Sequence, residues 1–198
     1  PDDPIPLYLD KRSSFIKVTC YLIFICSSLL SAQAIDTIDN ISLNGKWAIL
    51  FDQDNRGGVE KWHLKRVFET QKEVLDIQIP SHWETIKKDY EGVVFYKKSF
   101  RVPKSWNEGV FSLHFEAVNY KTEVWVNDQA VGTHEGGFTP FSFQVDEVLK
   151  PGEINHIIMR VVGPILMTDP RIDEMGRMEV PQWRVERWEG KGLNPRPT

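Results

Sequence analysis

Apolar and polar residues alternate with a period of two through most of the chain after residue 42. In the segment 109–118, every second residue from Phe111 to Ala117 is apolar and the residues between them are polar. This alternation is typical of a β-strand that buries one face. The same pattern predicts strands over 75–79 and 141–145, and residues 93–102 are predicted as a further strand that ends before Pro103.

Two further segments complete the predicted β-structure. Residues 157–162 are apolar at all positions but one, which predicts a central strand buried on both faces. Residues 121–132 predict a hairpin, because Asn127 and Asp128 tolerate the left-handed conformation of a two-residue turn. Helix signals are few, and residues 60–72 predict at most a short helical turn. The fold class is therefore all-β, and short strands at spacings of about ten residues predict an antiparallel β-sandwich with jelly-roll topology.

The amino-terminal part has the order of a secretory signal peptide. In chain order its parts are the basic residues Lys11, Arg12 and Lys17, the mostly apolar run 18–30, and the small residues of Ala32-Gln33-Ala34. This order predicts a signal peptide over residues 11–34. An uncleaved membrane anchor is the alternative, although the run is short for a membrane span.

Cleavage after Ala34 has consequences for compartment and composition. It implies a periplasmic or secreted protein with no membrane partner once the signal is removed. Cys20 and Cys26 lie in the apolar run, so the mature chain would contain no Cys and need no disulfide. Residues 1–10 precede the basic region and are predicted to be extraneous or unstructured.

Composition narrows the partners further. The 198 residues are 41% hydrophobic and 26% charged, with a formal net charge of −4. A weakly acidic chain of this kind does not suit nucleic acid as its main partner. The seven Trp residues are consistent with an aromatic core or with a sugar-binding surface.

No cofactor or metal site is predicted. Residues 52–57 begin like a calcium-binding loop, but Arg56 occupies a ligand position and His63 stands where a bidentate Glu is required. The segment is therefore interpreted as a surface turn. The five His residues lack the spacing of a zinc site.

An ordered series of short motifs carries a family resemblance. In chain order they are Leu43-Asn44-Gly45-Lys46-Trp47, Ile79-Pro80-Ser81-His82-Trp83, the segment 90–103, Phe115-Glu116-Ala117-Val118, Val124-Trp125-Val126-Asn127, and the segment 134–141, which reads HEGGFTPF. Together they resemble the N-terminal sugar-binding domain of glycoside hydrolase family 2, which includes β-galactosidases, β-glucuronidases and β-mannosidases. The resemblance covers about residues 41–162 and implies a galactose-binding-like jelly roll with carbohydrate as a partner.

The resemblance also implies where carbohydrate would be contacted. In such enzymes a loop of this domain reaches the rim of the active site, and the segments 82–90 and 134–138 are the candidates here. The candidate carbohydrate-binding residues are His82, Trp83, Tyr90, His134 and Glu135. The alternative is structural, with the polar side chains satisfied by backbone or water and the aromatic rings packed in the core.

No catalytic residue is assigned. The family uses two Glu residues on a barrel of eight strand–helix units, which needs about 250 residues. The residues after 162 are too few for it, so we expect the barrel in a missing part of the same polypeptide.

The carboxyl-terminal segment departs from the family pattern. The sandwich is expected to span 35–181, and residues 182–198 are expected to form an aberrant or disordered tail. The leading hypothesis is the non-catalytic domain of an exported retaining β-glycosidase. A free-standing carbohydrate-binding module and a structural sandwich that mediates subunit contacts are the alternatives.

Overall fold

The computed structural model describes residues 7–12, 38–88 and 90–163. Nearly all regular structure in them is β-strand. The strands are β1 Tyr8–Arg12, β2 Ile38–Ser42, β3 Gly45–Asp52, β4 Leu75–Ile79, β5 Val93–Arg101, β6 Val110–Phe115, β7 Lys121–Val126, β8 Gln129–Glu135, β9 Phe141–Gln144 and β10 Ile154–Val162. A short helix, α1, spans Lys65–Phe68, and a 3₁₀ turn spans Trp83–Thr85.

The strands form two antiparallel sheets. One sheet has four strands in the order β2-β1-β6-β9, and the other has six in the order β4-β3-β5-β10-β7-β8. The predicted all-β, antiparallel β-sandwich of jelly-roll type is confirmed. Strand β10 lies between β5 and β7, as its continuous apolar sequence predicts.

The main core lies between the two sheets. Alternate residues of the facing strands point into it, which is why the period-two pattern dominates the sequence. The four-stranded sheet contributes Leu9, Phe111, Leu113 and Phe115, and the six-stranded sheet contributes Trp47, Ile49, Val94, Tyr96, Val124, Val126, Ile157, Met159 and Val161.

A second, smaller core covers the outer face of the six-stranded sheet. Phe95 of β5 and Ile158 of β10 point away from the main core and are fully buried. Trp62 and Phe68, from the connection between β3 and β4, pack over them. Strands β5 and β10 are apolar on both faces because the main core covers one face and the second core covers the other.

Asp52 fixes the start of that connection. Its buried carboxylate accepts hydrogen bonds from the backbone N–H groups of Arg56 and Gly57, each at 2.8 Å. Burial raises the pKa of the Asp52 carboxyl, and the two backbone hydrogen bonds oppose that shift. Segment 52–57 is thus a turn that the Asp52 carboxylate closes by hydrogen bonds to the backbone of the same segment.

The hairpin between β7 and β8 follows the sequence prediction. Asn127 and Asp128 adopt positive φ angles of 51° and 68° at its turn. The Asn127 amide donates to Val148 O and to Asn155 Oδ1, each at 2.7 Å. The turn is therefore tied to the strand beside it.

Residues 7–10 differ from the prediction that residues 1–10 are extraneous or unstructured, and residues 1–6 lie outside the described part of the chain. Strand β1 lies between β2 and β6 and pairs with both. Leu7 and Leu9 are buried in the main core. The alternation of Leu7, Tyr8, Leu9 and Asp10 is that of a strand with one face inward, so these residues belong to the sandwich.

The polar residues of β1 are also accommodated in the fold. Lys11 is buried, and its ammonium group reaches the carbonyl oxygen of Ser105 at 3.3 Å, so the aliphatic stem lies inside while the charge finds an acceptor. Asp10 is buried with an oxygen 3.0 Å from His114 Nε2. Two of the three basic residues assigned to the signal peptide, Lys11 and Arg12, are thus strand residues.

Other amino- and carboxyl-terminal predictions lie outside the described residues. These are the apolar run of the signal peptide, the cleavage site after Ala34 and the tail after residue 181. No helix within the described ranges is long and apolar enough to cross a membrane.

Candidate functional site

A cavity of about 340 Å³ opens between the two sheets at one end of the sandwich. Its mouth lies where the connection between β4 and β5 meets the connection between β6 and β7. Volumes of this size are typical of small-molecule sites. The cavity is therefore the candidate functional site of the described part of the chain.

The floor of the cavity is apolar and comes from both sheets. Trp47, Tyr96, Met159 and Val161 extend from the six-stranded sheet, and Leu7 and Phe115 close the opposite side. All six are buried. Residues far apart in sequence thus form one surface because the sandwich brings their strands together.

Tyr96 places a hydroxyl group in this apolar surface. No hydrogen bond to another described residue holds its phenol oxygen, and burial raises the pKa of the phenol well above its usual value of 10.0. The group is therefore a neutral hydrogen-bond donor across the physiological pH range.

Replacement of Tyr96 by Phe is expected to change the alkaline stability of the fold. The folded-state pKa lies above the unfolded one, so folding favours the neutral phenol; this contribution is intact below pH 10 and is lost as pH rises above it. Urea unfolding at neutral pH and at about pH 11 should show a smaller alkaline loss in Tyr96→Phe than in the wild type. An equal loss in both proteins would contradict the raised pKa of the Tyr96 phenol.

The rim of the cavity is polar and is built by two turns. The first follows the cis Ile79–Pro80 bond and carries Ser81, His82, Trp83 and Glu84; the second carries Glu116, Ala117 and Asn119, and Glu91 lies beside the first. The His82 imidazole Nδ1 lies 3.4 Å from a Glu84 carboxylate oxygen. Hydroxyl donors and acceptors of a ligand would meet carboxylate and amide groups here.

Trp83 is the aromatic group of the rim. Its indole N–H donates to the carbonyl oxygen of Tyr90 at 2.9 Å, and the Tyr90 ring meets it edge-on with centroids 6.4 Å apart. The Tyr90 hydroxyl donates to Val93 O at 2.9 Å and accepts from Val93 N at 3.2 Å. Burial raises the pKa of that phenol too. Tyr90 therefore positions Trp83, and its hydroxyl group is occupied by the backbone.

The structure places three of the five predicted carbohydrate-binding residues at or behind the cavity rim and the other two away from the cavity lining. His82 and Trp83 lie on the cavity rim, and Tyr90 stands behind Trp83. The His134 ring stacks on Phe141 with centroids 4.0 Å apart, and Glu135 is exposed at the end of β8; neither lines the cavity. That these residues contact carbohydrate stays a prediction.

The second predicted loop adjoins the cavity without lining it. Gly137 lies so close to Asn119 that a Cβ atom at Gly137 would be 2.8 Å from the Asn119 side-chain oxygen. The loop 134–138 thus supports the rim from outside. Sequence reasoning missed the rim residues Glu116 and Asn119, which follow β6 in a motif that the sequence alone marks only as a strand end.

Comparison with known proteins identifies the family that the chain resembles. Residues 85–170 match the family model described as glycosyl hydrolases family 2, sugar binding domain. This segment is therefore similar to the sugar-binding domain of glycosyl hydrolase family 2. The matched residues include β5 to β10 and nine of the 17 residues that line the cavity, whereas Ser81, His82 and Trp83 lie just before the matched segment.

Several named glycosidases are similar to the chain. The chain is 33% identical over 129 residues to a β-glucuronidase of Paenibacillus borealis, covering 63% of the chain and 21% of the relative. It is 32% identical over 116 residues to a β-galactosidase of Thermoanaerobacter pseudethanolicus, covering 59% and 14%. A β-glucuronidase structure from Ruminococcus gnavus superposes with a TM-score of 0.55 at 25% identity, covering 61% of the chain and 21% of that protein. The chain spans about a fifth or less of the length of these relatives.

Proposed function

We propose that this chain is the N-terminal, non-catalytic domain of an exported, retaining β-glycosidase, and that its inter-sheet cavity holds carbohydrate. The observation that supports this most directly is the rim, where the Trp83 ring and the polar side chain of Ser81 meet Glu116 and Asn119. Glu116 and Asn119 belong to the segment that matches a family 2 sugar-binding domain, and Ser81 and Trp83 lie just before it. Sites of this kind combine an apolar surface with a few polar groups that fix the ligand's orientation.

The catalytic step is assigned to another part of the polypeptide. Retention requires two carboxyl groups about 5–5.5 Å apart on either side of the scissile bond. In this proposal they belong to a barrel of about 250 residues that follows the sandwich. The named activities of the relatives, β-glucuronidase and β-galactosidase, support hydrolysis of a terminal β-linked sugar. A downstream reading frame that encodes no barrel would favour a free-standing carbohydrate-binding module instead.

Trp83→Ala tests the carbohydrate part of the proposal. Calorimetric titration of the 198-residue chain with methyl β-glycosides of glucose, galactose and mannose, and with glucuronate, should give a dissociation constant near the millimolar range for at least one sugar. Trp83→Ala should weaken that binding about tenfold, because the ring supplies the apolar contact.

Trp125→Ala is the matched control. Trp125 is also half-buried, but its ring stacks on His63 with centroids 4.8 Å apart, away from the cavity lining. It should leave sugar affinity unchanged. No binding by a chain that still unfolds cooperatively would reject the carbohydrate site and leave the domain as a scaffold.

A further inference from the structure

The cavity changes character between its mouth and its floor. The mouth carries polar groups such as Ser81, Glu116 and Asn119, whereas the floor consists of six buried apolar or aromatic side chains. Within the described residues, Tyr96 Oη is the one side-chain hydroxyl of that floor. A ligand that fills the cavity must therefore be polar at one end and apolar at the other.

A sugar ring does not satisfy the floor. Each sugar hydroxyl that leaves water without a new hydrogen bond weakens binding, and the floor offers only the Tyr96 hydroxyl group as a partner for several of them. The rim, in contrast, offers carboxylate and amide oxygens that accept hydrogen bonds from hydroxyl groups. The sugar therefore belongs at the mouth, against Trp83.

An apolar group does satisfy the floor. An apolar cavity of about 150 Å³ is already large enough to bind benzene. The cavity here, at about 340 Å³, has room for a substituted aromatic ring and for part of a sugar at its mouth. Transfer of the ring from water would stabilise the complex in proportion to the apolar surface that becomes buried.

We propose that the cavity binds β-glycosides by their aglycone, with an aromatic or alkyl group between the two sheets and the sugar at the polar rim. This inference rests on the proposed carbohydrate function and adds the class of ligand. Tyr96 Oη donates to an oxygen substituent of the aglycone when one is present.

Paired ligands test the proposal on the 198-residue chain. Each methyl β-glycoside of glucose, galactose and mannose is compared by calorimetry with its 4-nitrophenyl counterpart, and 4-nitrophenol is titrated alone. For at least one sugar, the 4-nitrophenyl glycoside should bind about tenfold or more tightly than the methyl glycoside, as burial of an aromatic ring implies.

Ala117→Trp locates the added affinity. Ala117 is exposed and lines the mouth, so a Trp side chain there should block entry without disturbing the core. It should abolish the preference for the 4-nitrophenyl glycoside. Ala130→Trp, at an exposed position on β8 outside the cavity lining, should keep the preference and serves as the control.

The outcomes separate this proposal from the proposed function. Equal affinity for methyl and 4-nitrophenyl glycosides would overturn the aglycone proposal and leave the carbohydrate site intact. A preference that survives Ala117→Trp would also overturn it, because the ring would then bind elsewhere. Binding of 4-nitrophenol without binding of any glycoside would overturn both proposals.

Discussion

A chain that begins at Ile35 is expected to be less stable than the 198-residue chain by about 4 kcal/mol or more. The shorter chain lacks β1, and with it the buried Leu7 and Leu9, each of which contributes about 1.5–3 kcal/mol by burial. It also leaves β2 and β6 with unpaired strand edges inside the four-stranded sheet. Since whole domains are stable by only about 5–15 kcal/mol, urea unfolding followed by Trp fluorescence should show a much lower midpoint.

Point variants separate the strand's contribution from the effect of shortening the chain. Leu9→Ala in the full chain should cost about 2–5 kcal/mol, because the side chain is fully buried. Arg12→Ala, at an exposed position on the same strand, should change stability by less than about 0.5 kcal/mol. A peptide of residues 5–13 should raise the midpoint of the shortened chain in a concentration-dependent way. An unchanged midpoint after removal of residues 1–34 would show that β1 is dispensable.

The result bears on the predicted signal peptide. Cleavage after Ala34 would remove Lys11 and Arg12, which β1 uses as strand residues. A strongly destabilised product would mean that the same residues cannot be both a cleaved signal peptide and a strand of the sandwich. A stable product would reconcile the two.

The elements that sequence predicts well here are those whose cause is local. Asn127 and Asp128 mark the hairpin because the left-handed conformation is a property of the residues themselves. The continuous apolar run of β10 identifies a strand with two buried faces, although not what covers the outer one. Strand β1 is not predicted from the sequence because its alternation is short and its last two residues, Lys11 and Arg12, also fit the basic start of a signal peptide.

The site was predictable only at its rim. His82 and Trp83 were found because they form a compact motif, whereas the floor combines Leu7, Tyr96 and Phe115 from three distant strands. Period-two alternation shows that such residues face inward but not which of them meet. His134 is predicted as a polar residue of a candidate loop, yet its ring packs on Phe141, which lies on β9 of the other sheet.

Gly57→Ala is expected to destabilise the fold by about 3 kcal/mol, at the upper end of the range for an overpacked core. A Cβ atom at Gly57 would lie 2.5 Å from the Phe95 ring, 2.7 Å from the Trp62 ring and 2.8 Å from Asp52 Oδ2. Neither ring can move freely, because Phe95 is fully buried and Trp62 is held by its indole hydrogen bond to Glu60 at 2.9 Å. The added methyl group must therefore push apart the cover and the sheet of the second core.

The neighbouring glycine provides the matched control for this clash. Gly58 is exposed, and a Cβ atom there would meet nothing within 4 Å, so Gly58→Ala should change stability by less than about 1 kcal/mol. Both variants make the same chemical change one residue apart in one turn, so a difference between their urea midpoints isolates packing from backbone entropy. Equal midpoints would mean that the connection between β3 and β4 is not packed on the sheet. The double burial of β5 and β10 would then need another cause.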